Sequence, residues 1–387
     1  MDARTALPVV GMVGAGQLAR MTHQAAIALG QSLRVLAGSA DDGAALVTGD
    51  VLVGDYRSLA DLRAFAAGCD VVTWDHEHVP NEHIAALAAD GIAVHPGPDA
   101  LRFAQDKAAM RTRLAELEIA CPRWRAIASP GDLDEFAALV GWPLVLKASR
   151  GGYDGKGVWV VGNALEAAAV LASDTPLIAE EKVPIARELA ADVARSPWGQ
   201  GAAWPVVETV QQDGICVEVL APAPDLADDR ADEAQQLALR IAAELGVTGV
   251  LAVELFETAD GRLLVNELAM RPHNSAHWTI EGSRTSQFEQ HLRAVLDYPL
   301  GATTRTAPVV VMANLLAGPD DVVPKGIDER VHHCMARWPD VKIHLYGKGF
   351  RPGRKVGHVT ALGSCVDEVR TRARAAADYL SNGEHDA

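Results

Sequence analysis

Cysteine and positive charge are scarce in this 387-residue chain, and long apolar runs, internal repeats and low-complexity segments are missing altogether. The five cysteines, Cys69, Cys121, Cys216, Cys334 and Cys365, stand far apart, form no C-x-x-C pair and are odd in number. That spacing argues against a disulfide framework or a zinc ribbon, and for buried thiols in a reducing cytoplasm. No stretch approaches the roughly 20 apolar residues of a membrane span, and the first residues lack the charged-then-apolar pattern of a secretion signal. A cytoplasmic protein with no membrane partner is therefore expected. Thirty-five Lys and Arg stand against 51 Asp and Glu, a formal charge of −16. Nucleic-acid binding depends on neutralising phosphates, so a polyanion-binding surface is excluded, and any phosphate recognised here must be small and held locally.

What is present has the make-up of an ordinary globular protein, 49% apolar and 22% charged, with room for two or three domains. Residues 8–95 alternate apolar runs with amphipathic segments, the pattern of a parallel α/β sheet. The spacing predicts strands at Val9–Val13, Leu33–Leu36, Asp70–Trp74 and Ile92–Val94, the Trp74 strand being third. Helices are predicted at Gln17–Leu29, Leu59–Ala67 and Glu82–Ala89, then one helical linker over Ala100–Leu117. The first turn, Gly14-Ala15-Gly16-Gln17-Leu18-Ala19, fits the dinucleotide pattern G-x-G-x-x-A. That pattern also requires an acid at the end of the second strand to hold a ribose, and Leu36-Ala37-Gly38 offers none. An NAD-dependent dehydrogenase is set aside on that ground, although the helix start can still hold another anion. The strand end at Asp75-His76-Glu77-His78 falls where open α/β sheets bind ligands. Neighbours in an extended chain face opposite ways, so only His76 and His78 could share a metal, and a substrate-contacting Glu77 is preferred.

The stretch from Leu144 to Val158 opens as a strand ending in Lys147 and breaks into a loop with Gly151, Gly152, Gly155 and Gly157. Glycine admits positive φ and close backbone approach, so loop amides can face phosphate oxygens, with Lys147 and Lys156 beside them. This reads as a nucleotide-phosphate lid. The run Glu180-Glu181-Lys182-Val183 ends a strand whose exposed backbone edge could read an adenine. From Ile185 the pattern turns antiparallel. Asp260-Gly261 between two alternating runs predicts a two-residue hairpin turn. In that register Glu254 and Glu267 face each other, with Cβ atoms roughly 4.5–5.5 Å apart. Like charges so placed call for a cation, and Mg²⁺ (or Mn²⁺), which takes one or two carboxylates plus phosphate oxygens, suits them. Arg271-Pro-His273-Asn274-Ser275 follows, dense in hydrogen-bonding groups. Near the C-terminus Lys348, Arg351, Arg354 and Lys355 gather around a Pro-Gly turn, against the overall charge, as a phosphate pocket would.

These motifs resemble the ATP-grasp superfamily, and within it the N5-carboxyaminoimidazole ribonucleotide synthetases of bacterial purine biosynthesis. The resemblance runs over nearly the whole chain and is carried by Gly14-Ala-Gly-Gln-Leu, Gly151-Gly-Tyr-Asp-Gly-Lys-Gly, Asn266-Glu-Leu-Ala, Arg271-Pro-His-Asn-Ser-Ala-His-Trp and Arg351-Pro-Gly-Arg-Lys-Val-Gly-His. It implies an α/β ATP-grasp fold of three domains: a Rossmann-like unit (1–100), a helical linker (101–122), a small lid domain (123–187) and a C-terminal α+β domain (188–387). It further implies ATP held by Arg102, Lys107, Lys147, Gly152, Tyr153, Asp154, Gly155, Lys156, Gly157, Val158, Glu180, Glu181, Lys182, Val183, Glu188, Gln211, Asn266 and Glu267, with the metal on Glu254 and Glu267. Tyr153, Asp154, Arg271 and His273 would surround the reaction. Gly16, Gln17, Leu18, Glu77, Asn274, Ser275, Lys348, Arg354 and Lys355 would hold aminoimidazole ribonucleotide, carboxylated from bicarbonate through carboxyphosphate. His273 and Asp154 are both tenable as the base on the amine, and a homodimer is implied. Two positions depart from the pattern: Asp75 replaces a glutamate, and Met270 a proline. The sister formate-dependent glycinamide ribonucleotide transformylases are the competing enzyme reading; a nucleotide-binding module without turnover would lack Lys147, Glu254 or Glu267.

Overall fold

The computed structural model describes residues 1–152, 155–173, 175–318 and 326–383. Tyr153 and Asp154, both expected at the site, lie outside the described residues.

The first unit is a four-stranded parallel sheet in the order β3-β2-β1-β4, built from β1 (Val9–Val13), β2 (Ser32–Ala37), β3 (Asp50–Val53) and β4 (Val71–Trp74). Helices α1 (Gln17–Ala28), α2 (Leu59–Ala66) and α3 (Asn81–Ala89) cover it. Two expectations need correction. An edge strand at Asp50–Val53, too polar at Asp50 and too short to stand out, makes the Trp74 strand fourth rather than third. Residues Ile92–Val94 form only a single parallel bridge, Val72 with Val94.

The linker is two helices, α4 (Pro98–Gln105) and α5 (Lys107–Glu116), not one. Asp106 breaks them: its backbone is extended, and its carboxylate caps α5 by accepting from Ala109 N. The same carboxylate takes Ser149 Oγ at 3.1 Å and pairs with Arg150 at 2.8 Å, tying the linker to the lid loop.

The small unit is an antiparallel sheet in the order β5-β8-β6-β7, from β5 (Trp124–Ile127), β6 (Leu144–Ala148), β7 (Val158–Val161) and β8 (Leu177–Glu181). It carries α6 (Pro130–Val140), begun by a Ser129–Asp132 capping box, and α7 (Ala164–Leu171), capped by Asn163. The remainder is one antiparallel sheet, β14-β13-β9-β11-β12-β15-β17-β16, with the short β10 beside β9. Its strands are β9 (Ile185–Arg195), β10 (Gly201–Ala203), β11 (Val207–Gln212), β12 (Ile215–Ala221), β13 (Gly249–Thr258), β14 (Leu263–Ala269), β15 (Val309–Leu316), β16 (Lys342–Leu345) and β17 (Lys355–Gly363). Helices α8 (Asp228–Glu244), α9 (Thr279–Gly282), α10 (Gln287–Val295), α11 (Ile327–Arg337) and α12 (Val366–Asn382) flank it.

One apolar core runs from Val13 and Leu36 of the parallel sheet through Met110 and Leu114 of α5 to Val253 and Leu255 of β13. The linker is therefore packed rather than tethered, which fixes the first unit against the large sheet. The cysteines are free; Cys334 is buried, Cys69, Cys121 and Cys216 are half-buried, and Cys365, expected to be buried, is exposed just before α12. No described helix is long and apolar enough to cross a membrane.

Candidate active site

The β13–β14 hairpin sets the centre of the site. Glu254 pairs with Glu267, as the sequence predicts, but by a different route. The turn is longer than two residues: Thr258 N donates to Arg262 O, leaving Ala259, Asp260 and Gly261 outside the ladder. That shifts the register by one, and Leu255 faces Val265. A bulge at Asn266 then restores the pairing at Glu254 and Glu267. Neighbours on a regular strand face opposite sides, whereas a bulge re-aims one of them. Asn266 and Glu267 consequently both line the cavity.

That cavity, of about 720 Å³, lies between the small sheet, the large sheet and the first unit. Around the hairpin its charges alternate. Lys107 Nζ donates to Glu267 Oε1 at 2.7 Å. Lys147 Nζ reaches Glu180 Oε2 at 2.7 Å and Asn266 Oδ1 at 3.0 Å, and Asn266 Nδ2 lies 3.3 Å from Glu254 Oε2. Arg111, fully buried on α5, forks onto Glu180 Oε1 at 2.6 and 2.9 Å and onto the carbonyls of Val265 and Asn266 at 3.0 and 2.8 Å. Burial first, then the Glu267 and Glu188 carboxylates, push Glu254 above the usual carboxylate range, against Lys107 and Lys147. Burial likewise raises Glu188. A divalent cation between Glu254 and Glu267 would relieve that repulsion, so this donor pair fits the Mg²⁺ expected of it.

The lid reaches this centre. Gly151, Gly152, Gly155 and Val158 line the same cavity as Glu254 and Glu267. Gly155 has φ +74°, and a Cβ there would meet Gly214 Cα at 3.1 Å and Asp213 O at 3.2 Å, so the loop tip rests on the turn after β11. Glycine permits both that backbone conformation and that contact.

On the opposite wall the glycine-rich first turn is already occupied by the chain's own anion. Asp75 at the end of β4 accepts from Gly16 N and Ala19 N. A Cβ on Gly16 would stand 2.7 Å from Asp75 Oδ2. The helix start that could have held a phosphate holds this carboxylate instead. Two positions on, Glu77 pairs with Arg271 at 2.7 Å, and Gln105 Nε2 fixes its loop through the carbonyls of Glu77 and Val79. His76 and His78 line the cavity with ring centroids 5.2 Å apart; His78 N donates to His76 Nδ1.

His273 ends the loop after β14, and Nε2 of its ring stands 3.5 Å from Glu254 Oε1. Burial first, then Arg271 and Lys355, push it down to about 3, so it is neutral. Asn274–Ala276 form a 3₁₀ turn capped by His273. His277 is buried, its Nδ1 2.8 Å from Gln287 Nε2.

Of the other expected residues, Gln17, Leu18, Glu181, Lys182, Val183, Gln211, Asn274 and Lys355 also line the cavity. Gly16, Arg102, Lys156, Gly157, Ser275, Lys348 and Arg354 do not. Arg102 is exposed, its guanidinium over the Phe103 ring at 4.5 Å. Lys348 donates to Gln17 Oε1, bridging the last unit to the first. Arg354 is exposed and donates to Gly349 O at 3.2 Å.

Sequence reasoning missed Arg111 and Asp192. Arg111 lies four residues after Lys107, on the same helix face, which was a usable signal. Asp192 interrupts the apolar run Leu189-Ala-Ala-Asp-Val-Ala in β9, and is 1% exposed. Burial pushes its carboxyl up to about 7, against one hydrogen bond from Ser275. Between about pH 4 and pH 7 the folded chain thus holds a proton that the unfolded chain releases, so stability from this group falls as pH rises through that window. Asp192→Asn should abolish this slope, gaining on the parent by about 3 kcal/mol between pH 5 and pH 8. Thermal melts of both proteins across that range check it; parallel curves would refute it.

Comparison with known proteins covers the whole architecture. Residues 7–105 match the ribonucleotide synthetase preATP-grasp domain, residues 112–288 the ATP-grasp domain, and residues 310–372 the phosphoribosylaminoimidazole carboxylase C-terminal domain. The N5-carboxyaminoimidazole ribonucleotide synthase of Mycobacterium bovis is 61% identical over 380 residues, 97% of this chain and 88% of that protein. The ADP complex of an N5-carboxyaminoimidazole ribonucleotide synthetase superposes with a TM-score of 0.89 at 32% identity, covering 99% of this chain and 100% of the other. The Aspergillus clavatus enzyme in complex with ADP and 5-aminoimidazole ribonucleotide gives 0.87 at 31% identity, covering 97% and 98%.

Proposed function

The chain belongs to the N5-carboxyaminoimidazole ribonucleotide synthase family of ATP-grasp enzymes, and from that premise we propose how its own residues divide the work. The protein is an ATP-dependent ligase that carboxylates the amine of 5-aminoimidazole ribonucleotide in purine biosynthesis. The observation that carries the residue assignments is one cavity holding the Glu254–Glu267 pair, Lys107 and Lys147, the lid glycines, and the Arg271–Glu77 pair with His273.

ATP lies under the lid. The backbone edge at Glu180–Val183 meets its adenine, Glu188 and Gln211 its ribose side, and Lys147 with the amides of Gly152 and Gly155 its phosphates. Glu254 and Glu267, with Asn266 beside them, would hold Mg²⁺ or Mn²⁺, which when bound neutralises and orients phosphate oxygens. Bicarbonate oxygen bonds to the γ-phosphorus as the bond to ADP oxygen breaks, giving carboxyphosphate. Lys107 and Arg271 hold the negative charge that collects there. Carboxyphosphate releases CO₂ and phosphate, and the amine takes up CO₂ while losing one proton. Closure of the lid on the Gly214 turn keeps water from the intermediate. Gln17, Glu77 and Asn274 face the ribonucleotide, and Lys348, Arg354 and Lys355 hold its 5′-phosphate. The protein acts in the cytoplasm as a homodimer.

Phosphate release from ATP should require both the ribonucleotide and bicarbonate, each omitted in turn, and formate should not replace bicarbonate. Release driven by formate would favour the transformylase reading. Arg354→Ala should raise the KM for the ribonucleotide about 10- to 100-fold, the cost of one charged phosphate contact, with the ATP KM unchanged. A rise in the ATP KM alone would contradict the phosphate pocket. The side chain is exposed, so folding is unaffected.

A further inference from the structure

We propose that Arg330 of α11 and Phe350 are positioning residues: as a pair they set the loop between β16 and β17, and so place Lys348 and Arg354 for the ribonucleotide's 5′-phosphate. The inference rests on the functional reading above, which gives those two cations that task, and adds to it. One neck of the loop is pinned by Tyr346 N, which donates to Val356 O at 2.9 Å. At the other, Gly353 N donates to Ala317 O at 2.8 Å, and Ala317 N to Arg354 O at 2.9 Å. Arg354 N also closes a turn onto Arg351 O at 2.9 Å, with Gly353 at φ +72°. Residues 351–354 are exposed, so their own packing does not hold them. Between the necks, half-buried Phe350 packs on the core of the last unit. Its neighbours carry the two cations: Lys348 lies two positions before it, and the Gly349 carbonyl accepts from Arg354 Nη1 at 3.2 Å. A shift of Phe350 therefore moves both.

What holds Phe350 is a buried cation. Arg330 is 1% exposed, and its guanidinium carbon stands 5.1 Å from the centroid of the Phe350 ring, over its face. Nη1 donates to Leu380 O at 2.5 Å and to Ser381 O at 2.9 Å, in the last turn of α12. Carbonyls there have no partner within their own helix, and the helix end favours positive charge. The guanidinium is thus fixed by the end of α12 and presents its plane to the ring. Among the described residues no carboxylate pairs with it; its charge meets two carbonyls and an aromatic face. An apolar side chain would fill this place at lower desolvation cost. What arginine adds is a fixed surface for the ring and a positive charge that no acid cancels, beside a loop that has to hold an anion. A loop held in its binding conformation before the ligand arrives pays less ordering entropy on binding, so the benefit falls on affinity for the phosphate rather than on chemistry.

The test compares 5-aminoimidazole ribonucleotide, as substrate, with its riboside, which lacks the phosphate, as a competitive inhibitor. Phe350→Leu removes the ring face and leaves Arg330 and the end of α12 in place. It should raise the ribonucleotide KM about 5- to 30-fold, the worth of a desolvated cation–ring contact. The riboside Ki, the ATP KM and turnover at saturating ribonucleotide should stay at parent values. An unchanged ribonucleotide KM overturns the proposal, and so does a riboside Ki that rises in step, which would mean a general loosening. Phe350→Tyr keeps the ring and should stay within about 2-fold of the parent; a loss as large as that of leucine overturns the contact. Arg330→Met should show the same split between ribonucleotide and riboside, and should cost little more when added to Phe350→Leu. Losses that multiply would show that the two side chains act separately. If the methionine variant does not fold, the two Phe350 variants still decide. A parent protein that binds riboside as tightly as ribonucleotide would remove the phosphate pocket itself. If the parent discriminates, and Arg354→Ala removes that discrimination while Phe350→Leu keeps it, the pocket stands and this proposal falls.

Discussion

Glu267→Gln is expected to abolish ATP turnover, lowering kcat by about 1,000-fold or more, and to leave the fold intact. The substitution keeps the shape of the side chain and an oxygen for Lys107, which lies 2.7 Å away. What it removes is one of the two charges that fit the cation. The folded protein gains if anything, because the Glu267 charge is among the causes that push Glu254 up. Loss of turnover with an unchanged melting temperature therefore separates a role in chemistry from a role in stability. Titration with Mn²⁺ in the presence of ATP gives a second readout, and binding should weaken in the variant. Normal turnover with normal Mn²⁺ binding would remove the carboxylate pair from the mechanism.

Arg111→Met carries the largest expected effect on stability, a loss of about 3–5 kcal/mol. The guanidinium is 1% exposed and makes four hydrogen bonds to three acceptors from two different sheets: two to Glu180 Oε1 in the small unit, and one each to the carbonyls of Val265 and Asn266 at the bulge. Methionine fills the volume but leaves Glu180, 2% exposed, with Lys147 as its remaining ion-pair partner, and strips the two carbonyls of this donor. Lys147 is then held more tightly by Glu180 and is less available to a phosphate. Turnover should fall along with stability. Arg111→Lys should recover only part of the loss, since an ammonium cannot match a planar fork directed at a carboxylate and two carbonyls. Denaturant midpoints measure the difference. A methionine variant within about 1 kcal/mol of the parent would show that the linker helix does not hold the two sheets together through this residue.

The two experiments bear on parts of the site that were unequally visible in the chain. Glu267 stood out because Asp260-Gly261 between alternating runs announces a hairpin, and a hairpin converts sequence distance into facing pairs. The facing pair is real, yet the register count reached it through two departures that cancel: a longer turn and a bulge at Asn266. Arg111 gave no comparable notice. Its partners lie 69 and 154 or 155 residues away, and nothing local in α5 encodes them.

By itself the sequence determined the period of each element, and so most of the strands and helices, the glycine loop after Lys147, the acidic hairpin, and the motifs that mark the family. Those are consequences of short-range chemistry: alternation, capping, turn geometry and the conformations that glycine allows. Only the tertiary structure decided that Asp75 fills the first turn in place of a ligand, that Asp106 splits the linker and turns Lys107 inward, and that Asp192 reaches His273 through Ser275. Each of these depends on a charge or hydroxyl meeting a partner from another element inside a low-dielectric interior. There an unpaired group is costly, and which groups pair is fixed by the packing of whole sheets rather than by any stretch of chain.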